Sequence, residues 1–122
     1  MENKGYKKLR VYEEAHRLTK EVYKATEKFP RSELFGLISQ MRRCAVSTTA
    51  NIVEGQTRKS KKDFQHFLSI ANGSLVELEY YFELSLDLGY LMKDQYETLE
   101  HQRIIVGSLL GGFLRHLKKL DT

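Results

Sequence analysis

Five polar residues recur every three or four positions in the middle of the chain: Gln40, Arg43, Ser47, Asn51 and Glu54. On a helix they share one stripe. The row is an amide, a guanidinium, a hydroxyl, an amide and a carboxylate, whereas a plain solvent face would be mostly Lys and Glu. Two kinds of chemistry suit it. Arg43, Asn51 and Glu54 could hold the polar groups of a ligand. Alternatively, the row forms a hydrogen-bonded seam against a neighbouring helix, the commoner fate of such residues. The seam is the expectation here.

Catalytic chemistry finds little footing. A nucleophilic Ser or Cys needs an adjacent base or a helix N-terminus. Ser47, Ser74 and Cys44 have no such partner in the sequence, and Cys44 sits among apolar neighbours as an inert small hydrophobe. The glycines near residue 110 follow no strand and lack the Lys-Ser/Thr ending of a phosphate loop. Glu13-x-x-His16 and Asp63-x-x-His66, with Glu54, resemble part of a di-metal carboxylate set. The matching stretch of the last helix offers only Arg115, His116 and lysines, so no metal and no cofactor is expected. Tyr80, Tyr81 and Phe82 could stack bases, but aromatics at helical spacing are more often core or subunit contacts.

Helices must carry these residues. Val11, Ala15, Leu18, Val22, Ala25 and Phe29 form an apolar stripe that Pro30 ends. Ser32 fits as the next N-cap, with Glu33 in the first turn. Leu37, Met41, Ala45, Thr48 and Ile52 then make the buried stripe beside the polar row, and Gly55 marks a fray near its end. Ser60 and Asp63 resemble a capping box, and Gly89 suits a C′ position. The last helix carries Gly107, Gly111 and Gly112, which suggests close approach to another helix. These signals place helices at about 9–29, 32–58, 60–89 and 94–120, after a basic leader over 1–8. Short links imply an all-α, antiparallel up-down-up-down four-helix bundle in one domain.

That topology gathers charge. The start of the first helix brings Lys4, Lys7, Lys8 and Arg10, and the turn before the third brings Arg58, Lys59, Lys61 and Lys62. The end of the fourth adds Arg115, Lys118 and Lys119. Eleven of the 20 Lys and Arg thus fall at one end, while Glu27, Glu33, Asp87, Asp94, Glu97 and Glu100 collect at the other. The basic end suits a phosphate backbone, RNA or DNA. The bland alternative is a set of solvated helix ends. A turn near residue 60 also sets Arg43 against Glu77, Ser47 against Gly73 and Ser74, and Asn51 against Ser69. An Arg43–Glu77 ion pair, partly buried, is the expected key of the seam.

The bulk numbers agree with one globular domain: 122 residues, 41% hydrophobic and 30% charged. A net charge of +4 is too mild to indicate nucleic acid by itself. One cysteine excludes an internal disulfide and fits a reducing compartment. The polar, basic first ten residues are no signal peptide, and no apolar run reaches membrane-spanning length. A cytoplasmic location follows as an expectation.

Several segments together resemble the bacterial 23S rRNA intervening-sequence protein family. They are LRVYEEA (Leu9 to Ala15), Val22-Tyr23, Phe29-Pro30, ELFGLISQ (Glu33 to Gln40), Arg42 to Ser47, and ANIVEG (Ala50 to Gly55) before a basic turn with Arg58 and Ser60. Phe67-Leu68, Ala71, Gly73-Ser74, Glu77 to Glu79 and Leu88-Gly89 continue the likeness, which thins over the last helix. The resemblance implies a four-helix bundle that assembles as a homopentamer, without enzyme activity, and with nucleic-acid binding as its suggested role. A similar bundle serves as the accessory protein of diversity-generating retroelements, where it contacts a reverse transcriptase. A protein–protein accessory module is therefore the alternative function. Cys44, where the family usually has a small apolar residue, and the glycine-rich last helix depart from the pattern.

Overall fold

The computed structural model describes Gly5 and residues 9–120, with residue 120 described in its backbone only. Lys4, Lys7 and Lys8 lie outside the described residues. Those described form four α-helices and no strand: α1 Arg10–Thr26, α2 Ser39–Gln56, α3 Lys61–Asp87 and α4 Lys93–Leu120. A 3-10 turn over Arg31–Glu33 and a π turn over Leu34–Ile38 lead into α2.

The apolar stripes meet in one core. Leu18, Met41, Ile52, Leu68, Phe82 and Leu110, drawn from all four helices, are almost fully buried. The principal packing joins α1 with α2, α2 with α3, α3 with α4, and α4 with α1. Residue pairs fix the registers. Thr19 Oγ1 lies 3.1 Å from the Ala45 carbonyl and 2.9 Å from Thr49 Oγ1, while Arg42 Nε donates to Thr26 Oγ1 at 2.9 Å. Arg103 Nη2 donates to Glu79 at 3.0 Å, and Gln102 Nε2 donates to the Glu14 carbonyl at 3.0 Å.

Two helix ends differ from the sequence reading, each for a local reason. α1 stops at Thr26, not Phe29. Arg42 Nη2 donates to the Tyr23 carbonyl at 3.3 Å and its guanidinium lies 4.6 Å over the Tyr23 ring. This cation serves a carbonyl of the last turn, where positive charge is favoured. Phe29 is then free to turn into the core, 5.4 Å from the Tyr90 ring. The second helix begins at Ser39, not Ser32, because Gly36 breaks the run with φ −112° and ψ −110°. The cap on this approach is Glu33, whose Oε1 accepts from the Leu37 N–H at 3.1 Å. A Cβ at Gly36 would stand 2.7 Å from that oxygen, so any side chain there would displace the carboxylate. Glu33 Oε2 also accepts from the Tyr90 hydroxyl at 3.0 Å, which ties this approach to the turn before α4.

Other end signals hold. Ser60 Oγ accepts from the Asp63 N–H at 3.1 Å and caps α3. Gly89 has φ +80° and closes α3 with the paired bonds Gly89 N–H to Leu86 O, 3.0 Å, and Tyr90 N–H to Ser85 O, 2.9 Å.

The glycines of α4 do not mark a close helix contact within the chain. A Cβ at Gly107 would meet only Leu75 Cδ2 at 3.5 Å, and at Gly111 or Gly112 only the guanidinium of Arg115. The tight position is Gly55, read from sequence as a fray. A Cβ there would stand 2.9 Å from Phe64 Cδ1 and 3.1 Å from Phe67 Cβ.

Candidate nucleic-acid interface

Contacts among α1, α2, α3 and α4 bring four segments to one end. Gly55 near the end of α2 lies against Phe64 and Phe67 in the first two turns of α3. The Phe64 ring meets that of Phe113 in α4 edge-on, with centroids 5.2 Å apart. Leu9 to Val11, at the start of α1, share a groove with Ser108 to His116. An aromatic and aliphatic floor therefore joins the four segments. On them Arg10, Arg58, Lys59, Lys61, Lys62, Arg115, Lys118 and Lys119 are all exposed.

These cations are not equivalent. Arg58 is ion-paired with Glu54 of the same turn and lies 4.6 Å over the Phe67 ring, so its charge is already partly used. Arg115 folds back along its own helix, with Nη1 3.3 Å from where a Gly111 Cβ would be. Lys59, Lys61 and Lys62 surround the N-terminus of α3, whose free N–H groups add to the positive potential.

The polar row divides. Ser47 Oγ and Ser74 Oγ hydrogen-bond at 2.9 Å, as expected from the turn. Asn51 does not reach Ser69, which is exposed; its Nδ2 donates instead to the Ser47 carbonyl at 2.8 Å and to Ser47 Oγ at 3.1 Å. Gln40 and Arg43 face solvent, and Glu54 serves Arg58. The expected Arg43–Glu77 ion pair is not among the ion pairs of the described residues. Glu77 Oε2 instead accepts from Cys44 Sγ and from the Tyr81 hydroxyl, each at 3.2 Å. The register is one residue off the expectation: residue 44, not 43, stands opposite residue 77, just as 47 stands opposite 74. One residue is 100° of rotation, and that turns Arg43 outward. Arg43→Ala is therefore expected to shift stability by less than about 0.5 kcal/mol, measured by urea denaturation.

Cys44 is buried, and burial pushes its thiol up to about 12, helped by the Glu77 carboxylate. Burial and the same carboxylate also raise the Tyr81 hydroxyl. The thiolate is the reactive form, so Cys44 is inert at neutral pH. Alkylation by iodoacetamide at pH 8 is expected to be negligible in the folded protein and rapid in urea. The folded chain keeps a proton that the unfolded thiol, near 9.0, releases. This thiol's contribution to stability is therefore complete below pH 9 and is lost as pH rises toward 12.

Sequence reasoning passed over Arg42, the Glu33–Tyr90 bond and Arg103. Arg103, largely buried, bridges Glu79 at 3.0 Å and Glu100 at 2.8 Å. A turn centred near residue 91 would have set residue 79 opposite residue 103, so the signal was present. The approach to α2, tied to the turn before α4 by the Glu33–Tyr90 bond, carries a different feature. Phe35 is 93% exposed, and Leu34, Leu88 and Met92 are exposed with it. Among the described residues no group of three or more His, Cys, Asp and Glu stands together as a metal site, and no helix is long and apolar enough to cross a membrane.

No curated protein matches the chain. Among solved structures it is similar to a protein of unknown function from the S23 ribosomal protein family of Bacteroides thetaiotaomicron VPI-5482, with 26% identity and a TM-score of 0.77. The match covers 85% of this chain and 97% of that one. The family pattern described as 23S rRNA-intervening sequence protein matches residues 7–112, which takes in α1, α2 and α3 and α4 as far as Gly112. The chain belongs to the 23S rRNA-intervening sequence protein family.

Proposed function

We propose that this chain is a non-catalytic, oligomeric four-helix-bundle protein that binds RNA or DNA through its basic end. The observation that carries the reading is the clustering of exposed Arg10, Lys59, Lys61, Lys62, Lys118 and their neighbours on segments joined by Phe64 and Phe113. An antiparallel up-down-up-down arrangement is part of the proposal. It is supported by partners whose numbers run oppositely: 19 with 45 and 26 with 42, then 44 with 77 and 47 with 74, then 64 with 113 and 79 with 103. A homopentamer, implied by the family resemblance, would repeat the basic end around an axis and multiply its field. A cytoplasmic location fits the lone reduced cysteine.

The test is affinity for RNA and for DNA as salt is varied, with the assembly's mass taken by light scattering. Phosphate contacts predict a straight log–log decline of slope about 0.9 per phosphate neutralised. Absence of binding to either polymer at low salt would refute the reading.

One observation favours the second reading, a protein–protein accessory module for a nucleic-acid enzyme such as the reverse transcriptase of a diversity-generating retroelement. Phe35, almost fully exposed beside Leu34, is the kind of aromatic that anchors interfaces. Under that reading Phe35→Asp abolishes enzyme binding and leaves salt-dependent nucleic-acid binding intact.

A further inference from the structure

We infer that the groove between the start of α1 and the end of α4 is a subsite for one unpaired nucleobase, so that the basic end takes single-stranded RNA or DNA in preference to duplex. The inference rests on the nucleic-acid reading and names the form of the polymer. The groove is an open one, lined by Leu9, Val11, Leu109 and Phe113, with a volume of about 370 Å³. That is at the lower end of the range for ligand pockets, suited to a small flat group. Exposed Arg10 and His116 stand at its edge. Arg115, Lys118 and Lys119 continue from it along α4.

A surface that reads only phosphates has no use for an apolar hole. Here the hole is set among cations, which is the combination that holds single strands: a basic track for the backbone and an aromatic surface for the base. In a duplex the faces of the bases are covered by their stacked neighbours, and only an unpaired or extruded base can enter such a hole.

Gly112 keeps the groove open. A Cβ at that position would meet no atom within 4 Å except Arg115 Nη2, at 3.8 Å, so a larger side chain enters the groove without striking the core. Leu is also a far better helix former than Gly. Gly112→Leu is therefore expected to fill the subsite in a chain at least as stable as the original.

The experiment is a cycle. Binding of a ~ten-nucleotide strand and of an abasic strand of equal length is measured for the wild type and for Gly112→Leu. RNA and DNA versions distinguish the sugar. The wild type is expected to favour the base-bearing strand by about tenfold, the effect of one stacked base. Gly112→Leu should erase that preference, and Ser108→Leu, one turn earlier in the same groove, should do the same. Thermal melting confirms that both variants fold. If the wild type binds both strands equally, or if Gly112→Leu weakens both by the same factor, the subsite does not exist. If the variant loses the preference only because its assembly changes mass, a second copy of the chain fills the groove and the inference fails. Failure of either strand to bind at low salt removes the nucleic-acid reading itself, a result distinct from equal binding.

Discussion

Reversing three charges at the α2–α3 turn, Lys59→Glu, Lys61→Glu and Lys62→Glu, should weaken nucleic-acid binding roughly a hundredfold at moderate salt and flatten its salt slope by about two on a single strand. All three side chains are exposed. None has a hydrogen bond or ion pair within the described residues whose loss would confuse the result. Folding should move the other way. Lys61 and Lys62 are the first two residues of α3, where a negative charge is favoured by the helix dipole by about 0.3–1 kcal/mol each. The variant is thus expected to melt slightly higher while binding far less, which separates charge from structure. Two salt titrations that superpose would mean that the α2–α3 turn touches no phosphate. Arg58 is a poorer choice for this test, because it also holds Glu54 and covers Phe67.

Gly55→Leu should lower stability by about 2 kcal/mol, an overpacking cost partly offset by better helix propensity. The added side chain meets Phe64 Cδ1 at 2.9 Å and Phe67 Cβ at 3.1 Å from its first carbon alone. A ring can swing aside, but the Phe67 Cβ moves only with its backbone. Relief therefore requires the start of α3 to shift away from α2. That shift would carry Phe64 off Phe113 and Phe67 out from under Arg58, so nucleic-acid binding should fall with stability. Gly73→Leu is the control: Gly73 lies in the middle of α3 with no atom within 4 Å of an added Cβ, and the change should stabilise by up to about 1 kcal/mol. Urea midpoints compare the two. A Gly55→Leu chain as stable as the wild type would contradict the close approach of α2 and α3.

The four helices were legible from apolar periodicity, because stripes such as Val11, Ala15, Leu18 and Val22 had only one way to be buried together. Caps that depend on one residue and its own backbone were also legible, as at Ser60 and Gly89. What was not legible depends on tertiary partners. Arg42 ends α1 from a different helix, and Glu33 displaces Ser32 as the cap because Gly36 leaves room for its carboxylate. The seam was found with an error of one residue. That error kept Ser47 with Ser74 but exchanged Arg43 for Cys44 as the neighbour of Glu77. The basic end was legible as a set of charges. Its groove was not, because the groove is made by Gly112, whose only signal is a missing side chain.

The contact of Leu9 with the groove beside His116 has a practical consequence for handling the protein. The described stretch enters and leaves at the same end, within reach of the eight exposed cations. A purification tag or fluorescent fusion attached at either side would sit over the surface to be assayed. A polyhistidine or acidic tag there would compete with, or mimic, the polymer being measured. In the proposed antiparallel arrangement, a reporter inserted in the turn between α3 and α4, beyond Gly89, would stand at the far end and leave that surface clear.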